Sequence, residues 1–218
     1  MNSKFRSALI KSAKVTGITL VSFIGLLLIL PFFFKDSISA KIKDWANKNL
    51  KGELSYSDVS LSFFNHFPAL TLTLSDFDLK GSAPYTKETL VGAKEIALGI
   101  DLKSLFEEGL RVDQIFLANA NINILVNEEG LANYNVYVSK TDSSASAKTD
   151  SSSMSLKIEQ ILITNSHLVY NDRSLPMLIN AKGFNYSGKG DLSKDLFDLY
   201  TTAKIDSLDF YFDSVPYF

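Results

Sequence analysis

The chain has 218 residues, 22 basic and 24 acidic side chains, two histidines, no cysteine and 46% apolar residues, with a mean hydropathy of +0.08. That length predicts a domain with a real core, and the missing cysteine removes disulfides, thiol nucleophiles, thiolate zinc sites and iron–sulfur clusters. A net charge of -2 argues against a main surface built to neutralise nucleic-acid phosphates.

Charge and apolarity are unevenly spread. Residues 1–14 contain Lys4, Arg6, Lys11 and Lys14 and no acid, which leaves six net negative charges to the remainder of the chain. Val15 to Phe34 follows with no charged residue, about the length a helix needs to span a hydrocarbon core. A cleaved signal peptide would have a shorter apolar core and a small-x-small site directly behind it, whereas Lys35-Asp36 intervenes before Ser37-Ile38-Ser39. The reading is therefore an uncleaved membrane helix over 15–34. The basic flank places residues 1–14 in the cytoplasm and the bulk across the membrane.

Residues 35–51 predict a short amphipathic helix, with Ile38, Ile42, Trp45 and Ala46 at spacings of three and four, Ser37 as N-cap and Gly52 as stop. Its apolar edge either rests on the membrane surface, with Trp45 as the interface residue, or plugs the end of the domain behind it. After Gly52 the period changes to two. Runs at Val59, Leu61, Phe63; Leu70, Leu72, Leu74; Ile96, Leu98, Ile100; Ile122, Ile124, Val126; Tyr134, Val136, Val138; and Leu208, Phe210, Phe212 predict a mainly β, mostly antiparallel sheet with one apolar face. The apolar phase slips across Ser75-Asp76, which predicts a β-bulge there. Leu102 to Glu108 is the one short helix expected inside this region.

One repeat stands out. Arg111 to Asn119 aligns without gaps on Lys157 to Asn165, 46 residues later, with Gln, Ile and Asn identical. This predicts a sheet extended by like units. Between the copies, residues 139–155 are nearly all Ser, Thr, Ala, Asp and Lys, a composition that predicts a disordered spacer.

The search for reaction chemistry finds little. His66 and His167 lack partners at metal-ligand spacing and are read as satisfied at a strand end or in a loop. Glu107-Glu108 and Glu128-Glu129 are neighbours that point apart into solvent. Gly183 to Lys189 fits GxxxxGK, but Gly190 stands where a phosphate loop needs Ser or Thr. Asn185 opens a three-residue glycosylation sequon too common to carry weight. No catalytic residue, metal or cofactor is expected, so the chain is read as non-enzymatic.

Gly52-Glu53-Leu54, then Val59 to Phe64 leading into Phe67-Pro68 and the Leu70, Leu72, Leu74 alternation, then Asp76-Phe77-Asp78-Leu79-Lys80-Gly81, resembles the AsmA-like family of bacterial envelope proteins (the AsmA/TamB type, as in Bacteroidetes). Glu95 to Leu105 and Gly130-Leu131-Ala132-Asn133-Tyr134 continue the likeness. The resemblance implies an inner-membrane anchor with a periplasmic, curved, taco-like β-groove that holds phospholipid acyl chains. It makes Leu70, Leu72, Leu74, Ile96, Leu98, Ile100, Ile122, Ile124 and Val126 the expected groove lining, and lipid transport or outer-membrane homeostasis the expected role. The alternative is an anchored scaffold that recruits outer-membrane proteins by β-strand addition. The expected organisation is a cytoplasmic tip (1–14), membrane helix (15–34), amphipathic helix (35–51), AsmA-like β domain (52–138), Ser-rich loop (139–155) and second β unit (156–218). Proteins resembling it are several times longer, so the chain is expected to be the anchored first part of a longer one.

Overall fold

The computed structural model describes residues 3–66, 69–101, 104, 111–138, 155–190 and 198–217. Among the described residues, one α-helix, α1 (Ser3–Asn49), precedes an 11-stranded sheet. No break separates the two helices expected at 15–34 and 35–51, and Ser37 is an interior residue instead of an N-cap. The physical reason is that extending an existing helix is far cheaper than nucleating a second one, and residues 35–49 contain neither Gly nor Pro. Residues 15–34 lie within α1, although the side chains of 23, 24 and 26–36 are outside the described set. Among the described residues, no helix is long and apolar enough to cross a membrane.

The exit of α1 is stitched to the domain. The Leu50 N–H bonds the Ala46 carbonyl at 2.8 Å, the Lys51 N–H bonds Val136 at 2.7 Å, and the Val138 N–H bonds Asn49 at 2.9 Å. Gly52 passes so close to the Lys80 carbonyl that a Cβ would collide with it, so glycine is needed there for approach as well as for ending the helix.

The strands are β1 (Leu54–Ser55), β2 (Asp58–His66), β3 (Ala69–Lys80), β4 (Thr89–Ile100), β5 (Arg111–Ala118), β6 (Asn121–Val126), β7 (Ser155–Asp172), β8 (Met177–Lys189), β9 (Tyr200–Lys204), β10 (Ser207–Phe212) and β11 (Val215–Pro216). The sheet runs β1-β3-β4-β5-β7-β8-β10-β11, with β2 on β3, β6 bridging β4 and β7, and β9 on β8. Most pairs are antiparallel, but the sheet is mixed, because β7 lies parallel to both β5 and β6. These parallel pairs are the two copies of the repeat. Gln114 faces Gln160 and Ala118 faces Thr164, and beyond the turn Asn121 faces His167 and Val126 faces Asp172. From Gln114 onward the 46-residue offset of the sequence alignment is thus the pairing register, whereas Arg111 and Val112, before an irregularity in the ladder, pair with Ser155 and Leu156 instead.

A crease crosses the sheet. In β3 the inward side chains step by three from Leu74 to Phe77, and the same step recurs from Ala93 to Ile96, Leu117 to Ala120, Ile163 to Ser166 and Ala181 to Phe184. The bulge expected at Ser75-Asp76 is absent from the β3–β4 ladder: Ser75 faces Glu95 and Phe77 faces Ala93, with no extra residue. In β3 the phase slips because Asp76 is left-handed (φ 49°), and Asn119 (φ 52°), Asn165 (φ 44°) and Gly183 (φ 62°) do the same at their own steps, whereas β4 makes its step without a left-handed residue. Asn, Asp and Gly are the residues that tolerate this conformation. Side chains lace the line together. Asn165 Nδ2 donates to Asn119 Oδ1 at 2.7 Å, the Asn165 N–H donates to Asn185 Oδ1 at 3.0 Å, and the Ala120 N–H donates to Ser166 Oγ at 3.1 Å.

The helix expected at Leu102 to Glu108 lies outside the described residues except for Ser104, whose hydroxyl donates to the Asp101 carbonyl at 2.6 Å. The Ser-rich spacer likewise lies outside them, apart from Ser155, which opens β7.

Candidate functional site: the inner face of the creased sheet

The expected lining residues are brought together on one face. Leu70, Leu72, Leu74, Ile96, Leu98, Ile100, Ile122 and Val126 are buried, and Ile124 is half-buried against the core. They do not line an open groove. The last turns of α1 lay Ile38, Ile42, Trp45 and Ala46 into the same core, and Leu72 has no exposed surface at all. Each large side chain buried there contributes about 1.5–3 kcal/mol over its exposed state. Trp45, expected at a membrane interface, is only 7% exposed and belongs to this packing. Of the two places open to the amphipathic segment, the structure therefore puts its apolar edge into the end of the domain. A latch fixes the contact: the Tyr56 hydroxyl meets Ser39 Oγ at 3.0 Å and the Ser39 carbonyl at 3.1 Å, and Lys43 Nζ sits 5.6 Å from the Tyr56 ring centre.

Beyond the helix the inner face continues without its cover. Ile161, Ile163 and Leu168 on β7 face Gly188, Tyr186 and Ala181 on β8, and β10 adds Leu208, Phe210 and Phe212 opposite Ala181, Ile179 and Met177. Exposure rises along this path, from 8% at Leu98 to 38% at Leu208 and 45% at Phe212. Phe184 and Tyr186 stack with ring centres 6.3 Å apart, and Phe210 and Tyr217 tilt together at 5.7 Å. The stretch under β7 to β10 is apolar, partly aromatic and half-open.

One end of this stretch is polar. Asp172 accepts the Ser174 hydroxyl at 2.6 Å, the Ser174 N–H at 2.9 Å, the Leu175 N–H at 3.1 Å and the Tyr170 hydroxyl at 3.0 Å. The Ser174 hydrogen bonds, with those from Tyr170 and Leu175, outweigh desolvation and hold the Asp172 carboxyl below its ordinary value. The hydrogen bond to Asp172, then desolvation and the nearby negative charge, push the Tyr170 phenol up. At the other side of the sheet, burial alone would raise the Asp78 carboxyl, but hydrogen bonds from Lys80 and Thr89 and the Lys80 charge leave it lowered.

His167, expected at a strand end or in a loop, sits within β7. Its Nε2 meets Asn180 Oδ1 at 2.5 Å, and Asn180 Nδ2 donates to Asp209 at 3.2 Å. The side chain of His66 and the pair Glu107-Glu108 lie outside the described residues, and Glu128-Glu129 is exposed in the turn after β6. The GxxxxGK stretch is strand β8. Its Gly183 is there because a Cβ would run into the Asp206 carboxylate. Among the described residues, no group of three His, Asp or Glu is placed to hold a metal ion.

Sequence reasoning missed Asn133. It is fully buried, its Oδ1 accepts the Leu125 N–H at 2.9 Å and its Nδ2 donates to the Asn123 carbonyl at 2.7 Å. The element Gly130 to Tyr134, which resemblance alone picked out, is thus a backbone clamp on β6.

Compared with models of protein families, the chain matches the AsmA family over residues 10–197. No curated protein and no solved structure matches it.

Proposed function

The chain belongs to the AsmA family, whose members are associated with the bacterial envelope, and from that premise we propose that it is an inner-membrane-anchored periplasmic protein that holds phospholipid acyl chains on the inner face of its sheet. The observation that carries this reading is the apolar face that runs on past the helix-filled end and is half-open under β7 to β10. An apolar surface of this kind holds a hydrocarbon chain without directional chemistry, at about 0.8 kcal/mol per buried methylene. The chain acts by binding, not catalysis. The anchor is the uncharged stretch 15–34, and the large exposure of Val15, Ile18, Leu20 and Val21 on α1 supports a lipid environment around them. The basic residues before it orient the N-terminus to the cytoplasm.

The acyl chain belongs against Ile179, Phe184, Leu208 and Phe210, because most of the apolar residues under β3 to β6 are already packed into the core that the end of α1 joins. A photoreactive residue placed at Ile179 or Phe210 in the membrane-bound full chain should yield phospholipid adducts on organic extraction and mass spectrometry, while one at Leu72 should not. Phe210→Asp should reduce recovered phospholipid at least tenfold with the fold intact by circular dichroism. Recovery of no phospholipid from either open position would overturn the proposal.

A further inference from the structure

The half-open inner face ends in a carboxylate. Paired residues in a sheet point to the same side, so Asp172 shares its inward row with Val126, Met177 and Phe212, and Tyr170 stands in the row before it beside Ile179. Asp172 is only 5% exposed, and among the described residues no Lys or Arg pairs with it. Buried charges are ordinarily matched by an opposite one.

The two oxygens of Asp172 do different things. Oδ1 accepts the Ser174 N–H, the Ser174 hydroxyl and the Leu175 N–H, and so closes the turn between β7 and β8. Oδ2 accepts the Tyr170 hydroxyl, which leaves one of its roughly two acceptor positions open. Closing the turn needs an acceptor, and an asparagine would supply it equally. The charge on Oδ2 goes beyond that need.

The surroundings are acidic. The turns after β6, β7 and β10 lie side by side, since the Arg173 N–H bonds the Val126 carbonyl at 3.0 Å and the Asp213 N–H bonds the Pro176 carbonyl at 2.9 Å. Glu128, Glu129 and Asp213 lie in these turns beside Asp172, against Arg173 alone. Such a rim repels an anionic headgroup and attracts an ammonium. Tyr134, 52% exposed, is near enough to Tyr170 for its charge to act there, and phenol rings offer a face that favours cations.

Resting on the acyl-chain reading of this face, we propose that Asp172 receives the primary ammonium of a phospholipid headgroup, so that the lipid held under β7 to β10 is an aminophospholipid. Its tails lie against Ile179 and Phe210 and its head at the β7–β8 turn. Oδ2 accepts an ammonium N–H beside the Tyr170 hydroxyl, and Arg173, exposed at the same turn, carries the charge complementary to the phosphodiester.

The test uses the full chain with a photoreactive residue at Ile179, reconstituted in vesicles of equal parts phosphatidylethanolamine and phosphatidylglycerol with identical acyl chains. Mass spectrometry should find ethanolamine adducts in at least fivefold excess over glycerol adducts. Asp172→Asn keeps the acceptor that closes the turn, so the total adduct yield should hold while the ratio falls to about one. In the parent chain, N-acetyl phosphatidylethanolamine, which lacks the ammonium, should be taken up no better than phosphatidylglycerol. An even ratio in the parent, a preference that survives Asp172→Asn, or one that survives N-acetylation would overturn the headgroup assignment and leave the acyl-chain reading intact. Absence of any adduct would overturn both.

Discussion

The Asn133 amide serves β6 as a stretch of neighbouring strand would, with one acceptor and one donor aimed at successive backbone groups. Its own backbone is engaged too: the Leu125 carbonyl accepts the Asn133 N–H at 2.9 Å, and the Ser82 N–H bonds the Asn133 carbonyl at 2.8 Å. Gly81 lets the turn approach, since a Cβ there would lie 2.8 Å from that of Asn133. Asn133→Ala strands a buried donor and a buried acceptor, each costing about 1–3 kcal/mol, so a loss of about 2–4 kcal/mol is expected in urea denaturation. Asn133→Asp, which keeps the acceptor for Leu125 but buries a carboxylate against the Asn123 carbonyl, should lose at least as much. An alanine variant as stable as the parent would show that the clamp carries no weight. Nothing in the alternation of side chains reveals such a residue, because its partners are main-chain groups that have no sequence identity.

The crease was partly legible at the level of elements. The phase slip at Ser75-Asp76 can be seen in the Leu70 to Leu79 pattern, and the same slip is present, unnoticed, between Leu117 and Ile122 and between Ile163 and Leu168. What the pattern does not reveal is whether an inserted residue or a left-handed one makes the slip, since both shift the apolar phase by one. Asn165→Val should therefore cost about 1–2 kcal/mol from forcing a β-branched residue into the left-handed region, plus the bond to Asn119. Asn165→Gly should lose only the side-chain bonds. Thermal melts of the two variants separate these contributions; if valine and glycine behave alike, the left-handed backbone is not what the asparagine provides. The repeat was equally legible, yet its parallel pairing was not. Two similar strand-turn-strand segments can be neighbours in either direction, and side-chain period is the same in both.

For the whole molecule, periodicity located the apolar face but did not say what covers it. Leu70 to Ile122 alternate identically whether they meet a helix or a lipid, and only the three-dimensional position of Ile38, Ile42 and Trp45 decides that the helix end joins the core they form. Global stability should depend on acid in a direction set by Asp78 and Asp172. Both carboxyls are lowered in the folded chain, so the unfolded chain, with carboxyls near 3.9, takes up protons first as the pH falls. Their stabilisation is therefore present above about pH 4 and is lost as the pH drops through their lower native values. Denaturation midpoints measured from pH 7 to 2.5 should fall at the acid end, and the paired substitution Asp78→Asn with Asp172→Asn should flatten that fall. An unchanged acid limb in the double variant would place the sensitivity elsewhere.

The unbroken run of α1 from Ser3 to Asn49 has a consequence for orientation. A helix fixes azimuth as well as distance, about 100° of rotation and 1.5 Å of rise for each residue. The compass bearing of the half-open face, seen down the α1 axis, is therefore set by the number of residues between the first turn and Ile38. Inserting one residue near Ser37 would swing the entire sheet by more than a quarter turn, whereas inserting seven would return it to within about 20° of its starting bearing. Residue count along this helix acts as a protractor for the domain.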